Sequence, residues 1–474
     1  MSFKRHSGVV IALSLFAAPM LVGCTDEGEN PPVTTTGASG STGSTGGSGM
    51  GGNGGMGGSG GGSGGAGGVM APPNLNPDLP WYGTNRETLD TMIDAIGQNS
   101  ASYDPAKKPV AVFDWDNTVI KNDIGDLFFF WQVAHDLIMQ PKGKNWQTTS
   151  RFMTDAANTA LKAACDNVAN EGMPLLTSMA ANSACADELI EIYTNGKTMG
   201  AAAAFAGWNY RTMEPTYAWA AELQAGHTPA NLLAEVDKAI EAGIAADVEA
   251  KQTIGTHSVN AWVEVYKQIK DLIDVLQKNG VDVWVLSASP QANVEAFGKK
   301  VNVAADHVVG IRSILDANGK LTYDFQGCGT TPDGSGNGTA NPQGNTMITY
   351  IAGKRCWMNK IMYGKAGAEA EMTNPDPKMR PAFGAGDSDT DIEFLKDATV
   401  LKLAINRNKK ELMCNAYGNY MNKWIVNPMF IKPNTQFPTA YPCSTTACKD
   451  AAGVGSPCSD EAGMMIPDQM DTVF

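Results

Sequence analysis

The stretch that decides the fold is Val110-Ala-Val-Phe-Asp114-Trp-Asp116-Asn-Thr118. Its apolar run predicts a buried strand, and two aspartates spaced i and i+2 follow at the point where that strand must end. Two carboxylates in one small pocket repel each other, so they are costly unless a cation or a reaction uses them. The spacing allows Asp114 to attack a phosphorus atom while Asp116 protonates the leaving oxygen and later takes a proton from water. Taken alone, the pattern also fits a capped, solvated turn.

Three later segments predict further polar groups at the end of a strand or the start of a helix. Val281-Asp-Val-Trp-Val-Leu-Ser287 indicates a second buried strand that ends in a hydroxyl. Lys354 lies at the start of a predicted helix, where it can supply the fixed positive charge that a phosphoryl group needs. A third apolar run ends at Gly386-Asp387-Ser-Asp389-Thr-Asp391 with no basic residue beside it, as a hard divalent cation requires. Each of these elements alone is also common in structural positions.

In this order, the two aspartates, the serine, the lysine and the acidic segment resemble the signature of the haloacid dehalogenase superfamily, in its phosphatase branch. Within that branch, the Asp-x-Asp-Asn-Thr, Ser-Ala, Ala-Gly-Lys and Gly-Asp-Ser-Asp-Thr-Asp motifs are similar to those of phosphoserine-phosphatase-like enzymes and, most of all, bacterial phosphorylcholine phosphatases. The resemblance covers roughly residues 80 to 430, although only the four motifs are specific. It therefore implies the fold and the reaction more strongly than the substrate.

The resemblance also implies a role for each motif residue. It makes Asp114 the nucleophile and Asp116 the general acid and base. The phosphate-binding residues that it implies are Thr118, Ser287, Ala288 and Lys354. The ligands that it implies for a Mg²⁺ cofactor are Asp114, Asp116 through its backbone carbonyl, Asp387 and Asp391. Asp391 would alternatively orient a metal-bound water or Lys354, and Asp389 has the least certain role.

The expected fold class is α/β, a three-layer Rossmann-like core with a parallel sheet and an inserted helical cap. About 170 residues separate Asp116 from Ser287, far more than a strand-to-helix connection needs. We therefore expect the core in residues 80–122 and 281–435, the cap in 123–280 and a cysteine-containing tail in 436–474. Helices are predicted in the cap near 201–206, from Thr228-Pro229 through Ile240, and from Ser258 through Leu276. Residues 308–315 and 321–325 predict a hairpin.

The amino terminus predicts export and lipidation. Lys4 and Arg5 precede an apolar stretch from Val9 to Met20, which is too short for a permanent membrane span and typical of a signal peptide. Leu21-Val-Gly-Cys24 resembles the bacterial lipobox, so residues 1–23 would be removed and Cys24 acylated; a plain secretory signal is the alternative. Residues 24–70 would form a Gly/Ser-rich disordered tether, with an end-to-end distance of roughly 35–40 Å. Thr25 favours an outer-membrane lipoprotein of the cell envelope.

Charge and cysteine content narrow the possible partners of the protein and the compartment in which it works. The net charge of −14 and the pI near 4.9 argue against nucleic acid as a partner. Without Cys24, eight of the nine cysteines remain, an even number that fits disulfides in an oxidising compartment. We expect Cys165 to pair with Cys185. We also expect pairs within a second set of cysteines that tie the tail, namely Cys414, Cys443, Cys448 and Cys458.

These observations together predict a Mg²⁺-dependent phosphomonoester hydrolase that acts through an aspartyl-phosphate. The predicted cap and the segment that leads into it are rich in aromatic residues. A quaternary ammonium group binds the faces of aromatic rings, so phosphocholine is the most specific substrate hypothesis. Asp123 and Asp126 can either attract a cation or cap the following helix. Two alternatives stay open: a catalytically idle surface binding protein on the same fold, and a phosphotransferase. The sequence leaves the oligomeric state undefined.

Overall fold

The computed structural model describes residues 73–334 and 346–474. The predicted signal peptide, Cys24 and the whole of the predicted tether lie outside these residues. The helices of the described residues are α1 (Asn85–Ile96), α2 (Ile124–Ala134), α3 (Asp155–Cys165), α4 (Ser183–Asn195), α5 (Pro215–Glu222), α6 (Pro229–Ala245), α7 (Lys267–Lys278), α8 (Gln291–Gly298), α9 (Ala352–Tyr363), α10 (Ala368–Glu371), α11 (Ile392–Asp397) and α12 (Lys410–Gly418). The strands are β1 (Val110–Phe113), β2 (Ile120–Lys121), β3 (Lys251–Ile254), β4 (His257–Asn260), β5 (Glu264–Val265), β6 (Asp282–Pro290), β7 (Val308–Ile311), β8 (Ser313–Leu315), β9 (Leu321–Phe325), β10 (Phe383–Gly386), β11 (Leu401–Asn406), β12 (Trp424–Pro428), β13 (Cys448–Lys449) and β14 (Gly455–Ser456).

A parallel sheet of six strands forms the centre, in the order β12-β11-β10-β1-β6-β7. Each neighbouring pair is parallel, and Ala111 of β1 lies opposite both Phe383 of β10 and Val283 of β6. Because the strands run in one direction, their carboxyl ends meet at the same edge of the sheet, which is where open α/β sheets bind ligands. The predicted α/β class with a parallel sheet is confirmed.

Helices cover both faces of this sheet. Successive side chains of a strand point to opposite faces, so Val112 and Leu286 pack with residues of α9, α11 and α12. Phe113, Val285 and Leu403 pack on the other face with residues of α1, α7 and α8. The result is the expected three-layer core, with apolar strands buried on both sides as parallel sheets require.

The chain between β1 and α7 forms a large insert whose two ends are joined at its base. β2 pairs with β5 in a short antiparallel ribbon, with Ile120 opposite Val265. Helices α2 to α6 and the β3–β4 hairpin lie between these two strands. The prediction for α6 is confirmed, because the hydroxyl of Thr228 accepts a hydrogen bond from the backbone N–H of Asn231 and proline occupies the first turn. Helix α7 packs with the core helices, since Leu272 shares the core of Val283.

Two predicted helices of the insert are wrong in whole or in part. Residues 201–206 are not helical: Ala203 bridges Lys197, Phe205 bridges Met153, and Ala201 has a φ of 63°. Backbone pairing with neighbouring segments thus overrides the helix propensity of alanine. The helix predicted from Ser258 begins only at Lys267, because His257–Asn260 pairs with Lys251–Ile254 as a hairpin.

Four disulfides lie within the described residues. Cys165 pairs with Cys185, as predicted. The tail cysteines pair as Cys414 with Cys443 and Cys448 with Cys458, within the predicted set. The fourth bond joins Cys328 to Cys356, which lies in the first turns of α9. This bond ties α9 to the segment that follows β9.

The hairpin predicted after β6 is confirmed in its second part. β8 and β9 pair antiparallel across Asp316–Gly319, whereas Val308–Ile311 joins the central sheet as β7. Among the residues described, no helix is both long and apolar enough to cross a membrane.

Candidate active site

The first aspartate comes directly after β1, at the carboxyl edge of the sheet. Asp114 is 4% exposed, and its Oδ2 accepts a hydrogen bond of 3.2 Å from the hydroxyl of Thr118. The turn between them needs a residue with positive φ, and Asn117 supplies it at 58°, a conformation that asparagine tolerates better than most residues. The Asn117 side chain also accepts from the backbone N–H of Asn122. The Asp-Asn-Thr sequence thus builds the turn that presents the aspartates.

Lys354 lies in the first turn of α9 and is fully buried between two carboxylates. Its Nζ donates to Asp114 Oδ1 at 2.6 Å and to Asp391 Oδ1 at 2.5 Å. Burial lowers the pKa of Lys354, but the charges of Asp114 and Asp391 outweigh it and raise that pKa, so the ammonium is charged. The backbone before it is strained, because the β-branched Ile351 has a φ of 45°. A Cβ on Gly353 would lie 1.8 Å from the carbonyl oxygen of Ile348, so glycine is required there.

The acidic segment after β10 forms a compact turn around Asp391. Its Oδ2 accepts from the backbone N–H groups of Asp387 and Ser388, both at 3.0 Å. Gly386 permits this packing, because a Cβ on it would lie 2.6 Å from atoms of Asp391. Asp389 points elsewhere, and its Oδ1 accepts from the backbone N–H of Leu412 in α12. Asp389 therefore holds α12 and lies apart from the other two aspartates.

Asp114, Asp387 and Asp391 together form a buried acidic triad. One carboxylate oxygen from each lies within 4.8 Å of the others. Burial raises the pKa of Asp114, and the charge of Asp391 raises it further. Burial likewise raises the pKa of Asp391, with the charge of Lys354 opposing it. An oxygen-only donor set with excess negative charge fits a hard divalent cation such as Mg²⁺.

The second aspartate, Asp116, is held by a different set of partners. Its Oδ1 accepts from the backbone N–H of Ile124 at 2.7 Å. Its Oδ2 accepts from the hydroxyls of Ser287 at 3.1 Å and Ser289 at 2.7 Å. Burial raises the pKa of Asp116 well above its usual range, and the neighbouring charge of Asp123 adds to this effect. Asp116 is thus favoured to carry a proton, as a general acid must.

Two residues of this arrangement were missed by the sequence analysis. Ser289 lies two residues after Ser287 on β6, so both side chains face Asp116, and the alternation of a strand was the signal that would have found it. Arg407 follows directly after β11, and its Nη1 donates to Asp387 Oδ2 at 2.6 Å. In the sequence, its position directly after an apolar strand could have identified it as a candidate site residue.

The insert contributes one wall beside Asp116. Asp123 caps α2, because its Oδ1 accepts from the backbone N–H groups of Gly125 and Asp126 at 2.6 and 3.1 Å. Tyr193 of α4 donates to Asp126 Oδ1 at 2.7 Å and stacks on Phe129 with ring centroids 3.9 Å apart. A Cβ on Gly125 would lie 3.0 Å from the Ser289 hydroxyl and 3.7 Å from the Tyr193 hydroxyl. The start of α2, Tyr193 and Ser289 are therefore immediate neighbours.

The structure brings most of the predicted site residues to one place, in two groups. Thr118 joins Asp114 to the triad, since its hydroxyl also lies 3.1 Å from Asp387 Oδ1. Ala288 lies on β6 between the two serines and is partly buried. The Asp116 side chain belongs to the serine group and is not part of the triad. Asp389 is the predicted acidic residue that the structure separates from the site.

A family comparison agrees with this geometry. Residues 192–396 match the model of the haloacid dehalogenase-like hydrolase family, a span that includes Ser287, Lys354 and the acidic segment. Asp114 and Asp116 precede the matched span, and the central position of β1 brings them to it. A search of curated proteins finds no significant match. The predicted enzyme class is confirmed at this level: residues 192–396 match a haloacid dehalogenase-like hydrolase.

Solved structures are similar to this chain at low sequence identity. A conserved protein of unknown function from Anaerococcus prevotii DSM 20548 is 18% identical with a TM-score of 0.53, over 73% of this chain and 92% of that one. A protein of unknown function from Bordetella pertussis Tohama I is 15% identical with a TM-score of 0.38, over 68% and 98%. A substrate-bound phosphoserine phosphatase is 15% identical with a TM-score of 0.26, over 63% and 86%. The first likeness supports the fold, and the other two scores are too low to support more.

Proposed function

Because residues 192–396 match the haloacid dehalogenase-like hydrolase family, we propose that this chain hydrolyses small phosphomonoesters through an aspartyl-phosphate on Asp114. One observation carries the proposal: the two neighbouring aspartates are held by partners of opposite kind. Asp114 lies against the Lys354 ammonium, whereas Asp116 is held by two hydroxyls and one backbone amide. The ammonium of Lys354 favours the ionised form of Asp114 and opposes the burial and the Asp391 charge that raise its pKa, whereas neutral partners leave Asp116 able to hold a proton.

In the first step, a carboxylate oxygen of Asp114 forms a bond to phosphorus as the bond from phosphorus to the ester oxygen breaks. Asp116 gives its proton to the departing oxygen, so an alcohol leaves. Lys354 lies 2.6 Å from Asp114 and can neutralise a phosphoryl oxygen there. Ser287 and Ser289 would hold Asp116 in place and accept the shift of charge as it becomes a carboxylate.

In the second step, the Asp116 carboxylate takes a proton from water, and that water attacks phosphorus. The bond to Asp114 breaks, inorganic phosphate leaves and both aspartates return to their starting states. The insert wall at Tyr193 and the start of α2 would exclude other water from this step. Asp114, Asp387 and Asp391 would hold Mg²⁺, which when bound draws negative charge away from the phosphoryl oxygens.

We propose phosphocholine as the substrate, because the side of the site that the insert forms beside Asp116 is acidic. Asp123 and Asp126 lie there, and the Tyr193 ring is packed against Phe129 next to them. Acidic and aromatic groups together favour a quaternary ammonium group. Asp123 is also a helix cap and Asp126 is also bonded to Tyr193, so both carboxylates have structural roles in addition.

The test is a screen of the purified protein against phosphocholine, phosphoserine and sugar phosphates, measured as released inorganic phosphate. We expect phosphocholine to turn over fastest, activity to stop in excess chelator and Mg²⁺ to restore it. An Asp114→Asn preparation, purified in parallel, controls for contaminating phosphatases. Absence of phosphate release from every ester would contradict the hydrolase, and undiminished activity after verified metal removal would contradict the metal requirement.

We further propose that the enzyme is a lipoprotein of the cell envelope, anchored at Cys24 by an acyl chain. The support is the lipobox-like sequence and the four disulfides, which fit an oxidising compartment. Metabolic labelling with a fatty acid in the native host is expected to mark the wild type and not Cys24→Ser. Equal labelling of both would contradict acylation at this residue.

A further inference from the structure

Arg407 is a second cation of the acidic triad, and neither the motifs nor the proposed reaction uses it. It follows β11 at the carboxyl edge of the sheet, and its side chain is 15% exposed. Its Nη1 lies 2.6 Å from Oδ2 of Asp387, a side chain that is 1% exposed. A guanidinium stays charged at every physiological pH. A full positive charge therefore lies permanently beside one of the proposed metal ligands.

The two cations of the site divide the triad between them. Lys354 donates to Asp114 and Asp391, and Asp387 instead has Arg407 as its charged partner. The other oxygen of Asp387 lies 3.1 Å from the Thr118 hydroxyl. A hydroxyl can rotate and offer its own oxygen to a cation, but a guanidinium has only donors. A divalent ion that approaches Asp387 therefore meets Arg407 as a like charge.

From this arrangement we propose that Arg407 is the resident countercharge of Asp387 and competes with the divalent metal ion for that carboxylate. This inference rests on the metal site of the proposed function. Arg407 thereby acts as a positioning residue: it keeps the triad partly neutral before the metal binds, and it limits how tightly the metal is held. Asp123 is a second carboxylate within its electrostatic range: burial raises the pKa of Asp123, and the charge of Arg407 opposes part of that rise.

The opposite effect, loss of a well-placed ligand when Arg407 is removed, is the weaker one. Asp387 is fixed by its backbone N–H, which donates to Asp391 Oδ2 at 3.0 Å, and by the close packing at Gly386. Its carboxylate also keeps the Thr118 hydroxyl as a partner at 3.1 Å, so it retains a contact without the guanidinium. Removal of the like charge should then dominate, and the metal should bind more tightly.

The experiment measures MgCl₂ binding by isothermal titration calorimetry, without substrate, on full-length protein stripped of metal. Arg407→Gln removes the charge, and Arg407→Met removes the hydrogen bond as well. If one of these variants fails to fold, the other still tests the proposal. We expect both to bind Mg²⁺ at least about tenfold more tightly than the wild type, because the like charge is gone. Their metal-free forms should also unfold at a lower temperature.

Arg407→Lys keeps the charge and is expected to bind Mg²⁺ within about threefold of the wild type. The matched control is Lys402→Met, which removes another buried cation paired with a carboxylate, Glu461, near the opposite end of β11. It should leave the Mg²⁺ affinity unchanged. Affinity that is unchanged or weaker in both charge-removing variants would overturn the proposal, as would an equal gain in Lys402→Met.

The outcome for Arg407 can be distinguished from failure of the proposed hydrolase, because binding is measured without turnover. If the wild type binds Mg²⁺ too weakly to detect and Arg407→Gln binds it measurably, the competition is supported. If no variant binds Mg²⁺, the competition is refuted, whatever the phosphate-release screen shows.

Discussion

The two halves of the site stabilise buried carboxylates in different ways. In the triad half, Lys354 and Arg407 supply positive charge to three aspartates. In the serine half, Asp116 receives hydrogen bonds from Ser287, Ser289 and the backbone of Ile124, with no cation bonded to it among the described residues. Cations favour the ionised form, whereas neutral donors offset only part of the desolvation penalty. In the proposed mechanism, this difference separates the nucleophile from the acid two residues later in the sequence.

Substitution of Asp114 is the strongest test of the difference between the two halves of the site. Asp114→Asn should lower turnover by more than about 10⁴-fold, because an amide cannot form the bond to phosphorus. Lys354 keeps Asp391 as a partner, so the variant should remain folded. Steady-state phosphate release and thermal unfolding check the two expectations. A folded variant with near wild-type activity would show that the triad half does not contain the nucleophile.

Asp116 should matter less than Asp114, and its effect should depend on the leaving group. Asp116→Asn is expected to slow alkyl phosphate hydrolysis by about 10²- to 10⁴-fold, and aryl phosphate hydrolysis less, because a phenoxide leaves without much protonation. The aryl ester should also give a burst of phenol followed by slow turnover, since the same residue activates water afterwards. Rapid-mixing kinetics with both esters provide the measurement. Equal losses without a burst would assign Asp116 a structural role instead.

Ser289 should have a smaller effect, of about tenfold, on the same reaction. Ser289→Ala removes the shorter of the two hydroxyl contacts to Asp116, and Ser287 remains to orient it. The matched control is Ser178→Ala, which removes an exposed serine hydroxyl that donates to Asp136 at 2.7 Å. Comparison of kcat for the two variants checks the prediction. Equal activity of both would mean that the serine half does not depend on Ser289.

Glu222 extends the comparison to a buried acid outside the site. It is 1% exposed, and its Oε2 has no hydrogen-bond partner among the described residues. Burial raises the pKa of Glu222 well above 4.5, with a further rise from the charge of Asp324. The folded protein thus holds this proton more tightly than the unfolded chain does. Stability from this group is complete below pH 4.5 and falls as pH rises toward the folded pKa.

Glu222→Gln should therefore stabilise the protein at pH 8, by on the order of 1 to 3 kcal/mol, and have little effect near pH 4.5. Urea unfolding at both values measures the free energy of unfolding. Activity per folded molecule should be unchanged. A stability difference that is the same at both pH values would refute the assignment of a neutral Glu222.

The sequence predicted the motif residues well because their placement depends on local rules. Asp114, Ser287 and Asp387 each come at the carboxyl end of an apolar strand, and parallel strands must bring such ends together. Lys354 was identified by its place in the order of motifs. The same reasoning could have identified Ser289, since it lies on the same strand as Ser287 and points to the same face.

The residues that the sequence did not predict depend on tertiary contacts. Arg407 is brought to the acidic triad by its contact with Asp387, 20 residues earlier in the chain. Tyr193 and Glu222 come from the insert, where no motif marks a position and packing alone decides which side chains meet. The alanine-rich residues 201–206 show the same limit, because bridges to Lys197 and Met153 decide their conformation. Local propensity is a weak prior when backbone pairing competes with it.

The four disulfides close separate loops along the chain, and this has a consequence for proteases. The loops span 165–185, 328–356, 414–443 and 448–458, and none overlaps another. A single backbone cut inside any of them leaves the two fragments covalently joined. Surface loops are the usual sites of such cuts, and three of these loops lie in the part of the chain that carries Lys354 and the tail. Damage of this kind would stay invisible on a gel until the sample is reduced, and the nicked enzyme would keep its pieces together.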